Sequence, residues 1–421
     1  MNDTVVTAPE APVGSAPEQP RKNRKPLILI LCAAALLLVL AAVALALLLR
    51  PKSADEKANN LFNDGLVPVC MGEKWGYADQ NGQLVISPRF DRADEFSNGA
   101  APVRHEWKYG LIDKQGNYLV YPQYDFLFSA NDGLYSANIN DKYGYIDKTG
   151  KFVIQPQFDW AGGFYDGTAS VELGDKNGRI DKQGNYLLFP QYSNIVHLQD
   201  GLGAAALDDK YGFIDETGNF IIQPIYDDAM NFTDNDIAPV KLDGKWGCID
   251  RKGTFVIAPQ FDNAIRPDPD VPVAACLDRK YGFIDATGQF VIPNQYEKAY
   301  QFNDADYAPV KQDGKWGFID RKGAFVVPPQ FDEITYENNG LYGYLQSDKV
   351  GYLNLEGQIQ IPAQYDTLTG YSLLDQIAYE FYDDGYTIVR VGEYFGVIDS
   401  QGQYILQPRY NGIGDCYNRD Y

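Results

Sequence analysis

From residue 64 onward, short apolar runs alternate with polar breaks centred on Asp and Gly, and the alternation is periodic. One copy reads Ala308-Pro309-Val310-Lys311, then the pair Asp313-Gly314, then Lys315-Trp316-Gly317-Phe318-Ile319-Asp320. The break Arg321-Lys322-Gly323 follows, and Ala324-Phe325-Val326-Val327-Pro328-Pro329-Gln330-Phe331-Asp332 ends the copy. Apolar runs of strand length separated by two turn signals predict a three-stranded antiparallel meander. No amphipathic helical stretch lies between copies.

The copies are marked by an aromatic-Gly step at Trp75-Gly76, Tyr109-Gly110, Tyr143-Gly144, Tyr211-Gly212, Trp246-Gly247, Tyr281-Gly282, Trp316-Gly317 and Phe395-Gly396. Asn177-Gly178 and Val350-Gly351 fill the two gaps, which makes ten units. Successive steps lie 34 or 35 residues apart, except for a stretch of 45 before the last. A fixed period of this length marks an array whose units bury their apolar faces only against neighbours. The expected fold is therefore all-β, a tandem array of about ten meanders. An open solenoid or superhelix is favoured, because propellers usually have four to eight blades of four strands; a closed, propeller-like array is the alternative. The long link from Asp366 to Asp384 is the expected irregular insertion.

Each turn has its own chemistry. Asp313-Gly314 and Asp243-Gly244 are tight-hairpin pairs, since both central residues tolerate positive φ. Other units place Asp141-Lys142 or Arg279-Lys280 there, which predicts a varied loop geometry. At the second turn, Asp113, Asp147, Asp181, Asp215, Asp250, Asp285, Asp320 and Asp399 each precede a Gly by three residues. This is the pattern of a type I turn closed by a left-handed glycine. One carboxylate per turn is too few for calcium, which takes six to eight oxygens. The third strand is expected to end at its proline (Pro88, Pro122, Pro156 and their counterparts), because proline cannot donate to a ladder. Aromatics two residues later, such as Phe90, Tyr124 and Phe158, and link aromatics Phe96, Phe164, Phe232 and Phe302 are expected to form the seam between units.

The N-terminal part differs. Leu27 to Leu49 is an uninterrupted apolar run of 23 residues. As a helix it would reach about 34 Å, enough to cross a hydrocarbon core of about 30 Å. It is read as a single transmembrane helix, preceded by a disordered cytoplasmic tail (1–26) and followed by a juxtamembrane linker (50–63) and the repeat domain (64–421). Four basic residues before the run (Arg21, Lys22, Arg24, Lys25) and three after it (Arg50, Lys52, Lys57) place the N-terminus in the cytoplasm and the repeats outside. The alternative is a secreted chain cleaved near Ala44-Leu45-Ala46.

Beyond residue 57 the chain carries 29 basic and 52 acidic side chains, a net of −23. Such a surface repels phosphate backbones, so nucleic acid is not an expected partner. Cys70, Cys248, Cys276 and Cys416 include no CxxC pair, and unbridged strand residues are expected. Their disulfide state is not fixed by spacing.

The motif Lys245-Trp246-Gly247-Cys248-Ile249-Asp250-Arg251-Lys252-Gly253, continuing to Pro259-Gln260-Phe261-Asp262, resembles the bacterial WG-repeat family, and Lys315 to Asp332 is a second close copy. Only three copies keep Trp at the step; most of the substitutions are Tyr. The resemblance spans residues 64 to 421 and implies an all-β repeat in a bacterial surface or envelope setting, with no defined catalytic residues.

No catalytic, cofactor or metal residues are expected, and the chain is not read as an enzyme. Its two histidines, His105 and His197, sit in neither HExxH nor near a GxSxG. Binding residues cannot be assigned from the repeat, but rings off its pattern are contact candidates: Trp107, Trp160, Tyr336, Tyr371, Tyr379 and Tyr382. The expected function is a single-pass protein of the cell membrane, presenting a non-catalytic binding or scaffolding surface to protein or glycan partners at the envelope. A structural stalk or spacer, and an accessory subunit of a signalling or transport complex, are the alternatives.

Overall fold

The computed structural model describes residues 60–128, 132–196, 198, 201–368 and 378–414. The run Leu27–Leu49, and with it the expected membrane helix, tail and most of the linker, lies outside them. Among the described residues no helix is long and apolar enough to cross a membrane. Strands account for nearly all the regular structure, and every strand pairing is antiparallel.

The meander is present in all ten units, but most sheets hold a fourth strand. In the second unit the sheet runs Arg92–Ala93, Ala100–His105, Lys108–Asp113, Tyr118–Tyr124. The two-residue short strand begins one residue after the previous unit's third strand ends at Phe90. The chain thus passes from one sheet to the next with a single Asp between them. Seven sheets are four-stranded, one is three-stranded, and the last two units merge into a seven-stranded sheet.

The hairpin turns vary less than the sequence suggests, and the expected pairs Asp141-Lys142 and Arg279-Lys280 shift one residue earlier, because Lys142 and Lys280 already pair in the ladder with Ile139 and Leu277. Asp313 (φ 51°) and Gly314 (φ 74°) are both left-handed, and so are Asn140 and Asp141, Asp278 and Arg279, and Glu106 and Trp107. Eight units share this two-residue turn, whose twist matches that of the flanking strands, while at Gly72-Glu73 and Gly392-Glu393 only the glycine is left-handed. The second turn follows its predicted form. Gly116 (φ 83°) donates its N–H to the Asp113 carbonyl, while the Asp113 carboxylate accepts the N–H groups of Gln115 and Asn117.

The third strand passes through its proline instead of ending there. Trp75 pairs with Phe90 and Tyr77 with Ile86, so Ser87, Pro88 and Arg89 stand opposite Gly76 alone. This is a bulge, and proline belongs in it because no ladder donor is needed there. A Cβ on Gly76 would lie 2.2 Å from the Ile86 oxygen and 2.7 Å from the Pro88 nitrogen. The glycine of the step and the proline of the third strand are therefore two halves of one contact. In the ninth unit Ala363 takes the proline's place, and its N–H donates to the Tyr344 hydroxyl at 3.0 Å.

Neighbouring units are joined in three repeated ways. Rings meet across the seam, as expected: Tyr77 with Phe96, Tyr145 with Phe164, Phe213 with Phe232 and Phe283 with Phe302 lie 4.6–4.8 Å apart. A second set pairs the end of one third strand with the start of the next, as in Tyr124 with Phe152 and Tyr226 with Phe255. Next, each turn glycine faces the preceding unit: a Cβ on Gly150 would meet Val120 at 3.0 Å, and the Gly150 carbonyl accepts the Tyr124 hydroxyl. Finally, an Asp at seven of the crossings clasps both sides. Asp227 binds Lys210 of its own unit at 2.6 Å and accepts the Gly244 N–H of the next hairpin. Asp91, Asp125, Asp159, Asp262, Asp332 and Asp366 do the same. The lysine hydrogen bond is the main influence holding the Asp125, Asp227, Asp262, Asp332 and Asp366 carboxyls below their ordinary range.

All three devices have counterparts between the tenth unit and the first. Gly412–Ile413 supplies the short strand of the first sheet, with Val69 opposite Ile413 and Cys70 opposite Gly412. Asn411, at the clasp position, accepts the Gly72 N–H at 2.8 Å. Arg409 donates to the Gly82 carbonyl, and a Cβ on Gly82 would meet the Ile405 oxygen at 3.0 Å. Across the same junction Phe62 lies edge-on to Tyr386. Val67, Val69, Ile388, Val397, Leu406, Tyr410 and Ile413 form one buried core with Leu61 and Phe62, which the sequence reading had placed in the linker. The array is therefore closed and not the open solenoid expected from its unit count. Closure is legible only in the last few residues, where the short strand is contributed from the opposite end of the chain.

Candidate functional site

The seams take up most rings of the repeat, and the structure sorts the six off-pattern aromatics by burial. Trp107 is 80% exposed at a hairpin tip, in a left-handed conformation that a bulky side chain adopts only under strain, with the Arg104 guanidinium 5.2 Å from its ring. Trp160 lies on the short strand Trp160–Ala161 and is half-exposed, its ring covering Gly162. Tyr336 is 59% exposed. Tyr379 and Tyr382 are not free contact residues: both are partly buried against the closure core, and the Tyr379 carbonyl accepts the Tyr352 hydroxyl. Tyr371 lies outside the described residues. The five described ones are dispersed over several units and do not form one site.

Two exposed rings escape a reading based on off-pattern positions. Tyr121 and Phe189 sit inside the repeat, at the third-strand bulge where most units carry a small or polar residue or proline, and both are largely exposed. The signal was the exchange of Ser87 or Gln155 for an aromatic at an outward position.

At the other edge of the sheets, the short strands and links of the sixth to ninth units form a trough. Its floor includes Met230, Arg266, Gln301, Phe302 and Tyr336. Beneath Tyr336 lies Tyr300, with ring centres 4.3 Å apart, and beneath Tyr300 lies the fully buried Trp316 at 4.7 Å. The Trp316 indole donates to Glu333, whose carboxylate also binds Lys311 at 2.6 Å in a mostly buried pair.

Among the described residues no group of three or more His, Cys, Asp or Glu is placed to hold a metal ion. Cys248 and Cys276 are buried free thiols and Cys70 is buried, while Cys416 lies outside the described residues. Burial pushes the Cys248 thiol up to about 12, and burial followed by the nearby Asp262 carboxylate raises Cys276. Both are protonated at neutral pH and are poor nucleophiles or metal ligands in that state. His105 is exposed beside a hairpin, and His197 lies outside the described residues.

With this geometry in view, the comparisons with known proteins place the chain in a class. The family model "WG containing repeat" matches residues 75–106, 109–143, 143–176, 178–211, 211–246, 246–267, 281–316, 316–349 and 395–418. The chain belongs to the WG-repeat family. No curated protein matches its sequence. Among solved structures it is similar to a eukaryotic initiation factor, at 10% identity and a TM-score of 0.46, over 83% of this chain and 96% of that one. The C-terminal WD40 domain of Sif2 gives 11% and 0.32, over 82% and 97%. PorZ of Porphyromonas gingivalis, a bacterial surface component of a type-IX secretion system, gives 9% and 0.26, over 81% and 60%.

Proposed function

We propose that the protein is a membrane-anchored, non-catalytic ring that presents a binding surface to a protein or glycan partner outside the cytoplasm. One observation carries this reading. The recurring polar and aromatic groups are engaged in turns, clasps and seams, leaving a few large rings exposed on a rigid, acidic frame. Rigid aromatic anchors of this kind give binding surfaces much of their energy at low entropic cost. The uninterrupted apolar run Leu27–Leu49 supports the anchor, and the denser basic cluster before it supports the orientation. Closure favours a presented surface over a stalk, since a ring has no free end along which a spacer could extend.

The orientation is tested with a C-terminal tag on intact and permeabilised cells. Added protease should remove the tag from intact cells. Protection until permeabilisation would put the ring in the cytoplasm and end the envelope reading. An accessory role, by contrast, requires that deleting residues 2–20 abolish function while the ring stays folded.

A further inference from the structure

We propose that the trough across the sixth to ninth units binds a linear β-1,4-linked oligosaccharide, with the exposed face of Tyr336 as its stacking platform; this rests on the reading that the ring is a binding module.

The platform is built by a departure from the repeat. Other units have a two-residue short strand or none at this edge, whereas the ninth has Glu333–Asn338. Within it Ile334 pairs with Tyr344 and Glu337 with Tyr342, so Thr335 and Tyr336 together oppose Gly343. A bulge of this kind re-aims a side chain, and here the re-aimed residue is Tyr336. Its ring lies on Tyr300, which lies on buried Trp316, and the Tyr300 hydroxyl donates to the Ile334 carbonyl at 3.2 Å. A platform rooted in the core loses little freedom when a ligand stacks on it.

The adjoining chemistry favours sugar over peptide. An extended peptide that binds a sheet edge does so through main-chain hydrogen bonds. At three places along this edge a first-strand donor is already taken by a side chain. Ala204 N–H is accepted by Asn231 Oδ1 at 3.1 Å, Ala274 N–H by Gln301 Oε1 at 2.9 Å, and Gly343 N–H by Thr335 Oγ1 at 2.8 Å. Toward the trough lie an aromatic face, the Gln301 amide nitrogen and the charged groups of Asp234, Arg266, Asp268, Lys298 and Glu337, the last also accepting the Gly340 N–H. Equatorially linked pyranose chains match that set. Their flat C–H faces stack on a ring, and their rim hydroxyls bond to side chains. The trough is continuous, since its adjoining parts share Met230 and Arg266 on one side and Gln301, Phe302 and Tyr336 on the other, so it suits a linear chain better than a single residue.

The test is calorimetric titration of the full chain in detergent with cellohexaose and chitohexaose. At least one should bind, at least tenfold more weakly to Tyr336→Ala and within about twofold to Tyr336→Phe. Tyr121→Ala, which removes a still more exposed ring at the opposite edge, should bind as the parent does. Arg266→Ala, an exposed position whose side chain donates to the Met230 sulfur at 3.8 Å, gives a second readout should Tyr336→Ala fail to fold, with several-fold weaker binding expected. The proposal falls if neither hexasaccharide binds, or if both trough variants bind as well as the parent. If neither binds but the full chain retains an envelope protein through Tyr336, the occupant is a protein and the binding-module reading stands. If no envelope component of any kind is retained, that reading falls as well.

Discussion

Ending the chain after Pro408 should destabilise the ring by about 3–6 kcal/mol, because it removes the buried side chains Tyr410 and Ile413, each worth about 1.5–3 kcal/mol. The same cut removes the short strand of the first sheet and the Asn411 contact to Gly72. It strips one side from the core in which Leu61, Phe62, Val67 and Val69 are buried. A loss of this size is comparable with the whole stability of many domains, at about 5–15 kcal/mol. Denaturant melts of the full and truncated chains in the same detergent measure it. If the C-terminus were a loose tail on an open array, only the last unit would fray and the main transition would stay in place.

The second large effect belongs to the aromatic-Gly step. Gly110→Val should cost about 3 kcal/mol, the upper end of overpacking penalties. Its Cβ would lie 2.4 Å from the Val120 oxygen and 2.8 Å from the Pro122 nitrogen, both backbone atoms of a strand pinned on either side of its bulge. Gly323→Val is the contrast. Gly323 is left-handed at φ 81°, and its nearest obstacle is the Ile292 side chain at 3.1 Å, so about 1–2 kcal/mol is expected. Equal melting shifts for the two would mean that the step glycine answers to turn conformation and not to the bulge it faces.

This contrast shows what the chain made legible. Unit number, the three main strands and the second turn follow from spacing, because Asp-Gly punctuation and short apolar runs are local signals; the two-residue fourth strand and the hairpin pairs without Asp-Gly, such as Asn140-Asp141, do not. The seam rings were also legible, since an aromatic at a fixed place in each unit has a fixed neighbour in the next. The coupling of step glycine to proline was not. It joins residues twelve apart, such as Gly76 and Pro88, across two strands, and proline alone reads as a strand end. The clasp was half visible: the Asp after each third strand stood out, but its lysine lies 17 residues earlier, as Lys245 does from Asp262.

Closure was the main miss, and the cause is specific. The closing junction replaces the usual Asp with Asn411, and the Lys before the step with Tyr394, so the last unit looks like a terminus instead of a joint. As for the site, the off-pattern rule found Trp107 and Tyr336. It failed for Tyr379 and Tyr382, which pack against the closure core. It could not find Tyr121 or Phe189, which occupy ordinary repeat positions and differ only in being apolar where most units are small or polar.

The most direct test of the ring is the distance between its first and last units. Spin labels introduced through unnatural amino acids at Asn81 and Gln407 flank the contact between Arg409 and the Gly82 carbonyl, 3.2 Å long. Pulsed electron paramagnetic resonance on the full chain should give a narrow short-range distribution, at or below about 20 Å. In an open array, nine steps of about 10 Å per packed sheet would separate the labels by on the order of 90 Å. A distribution centred at several tens of ångströms would contradict closure.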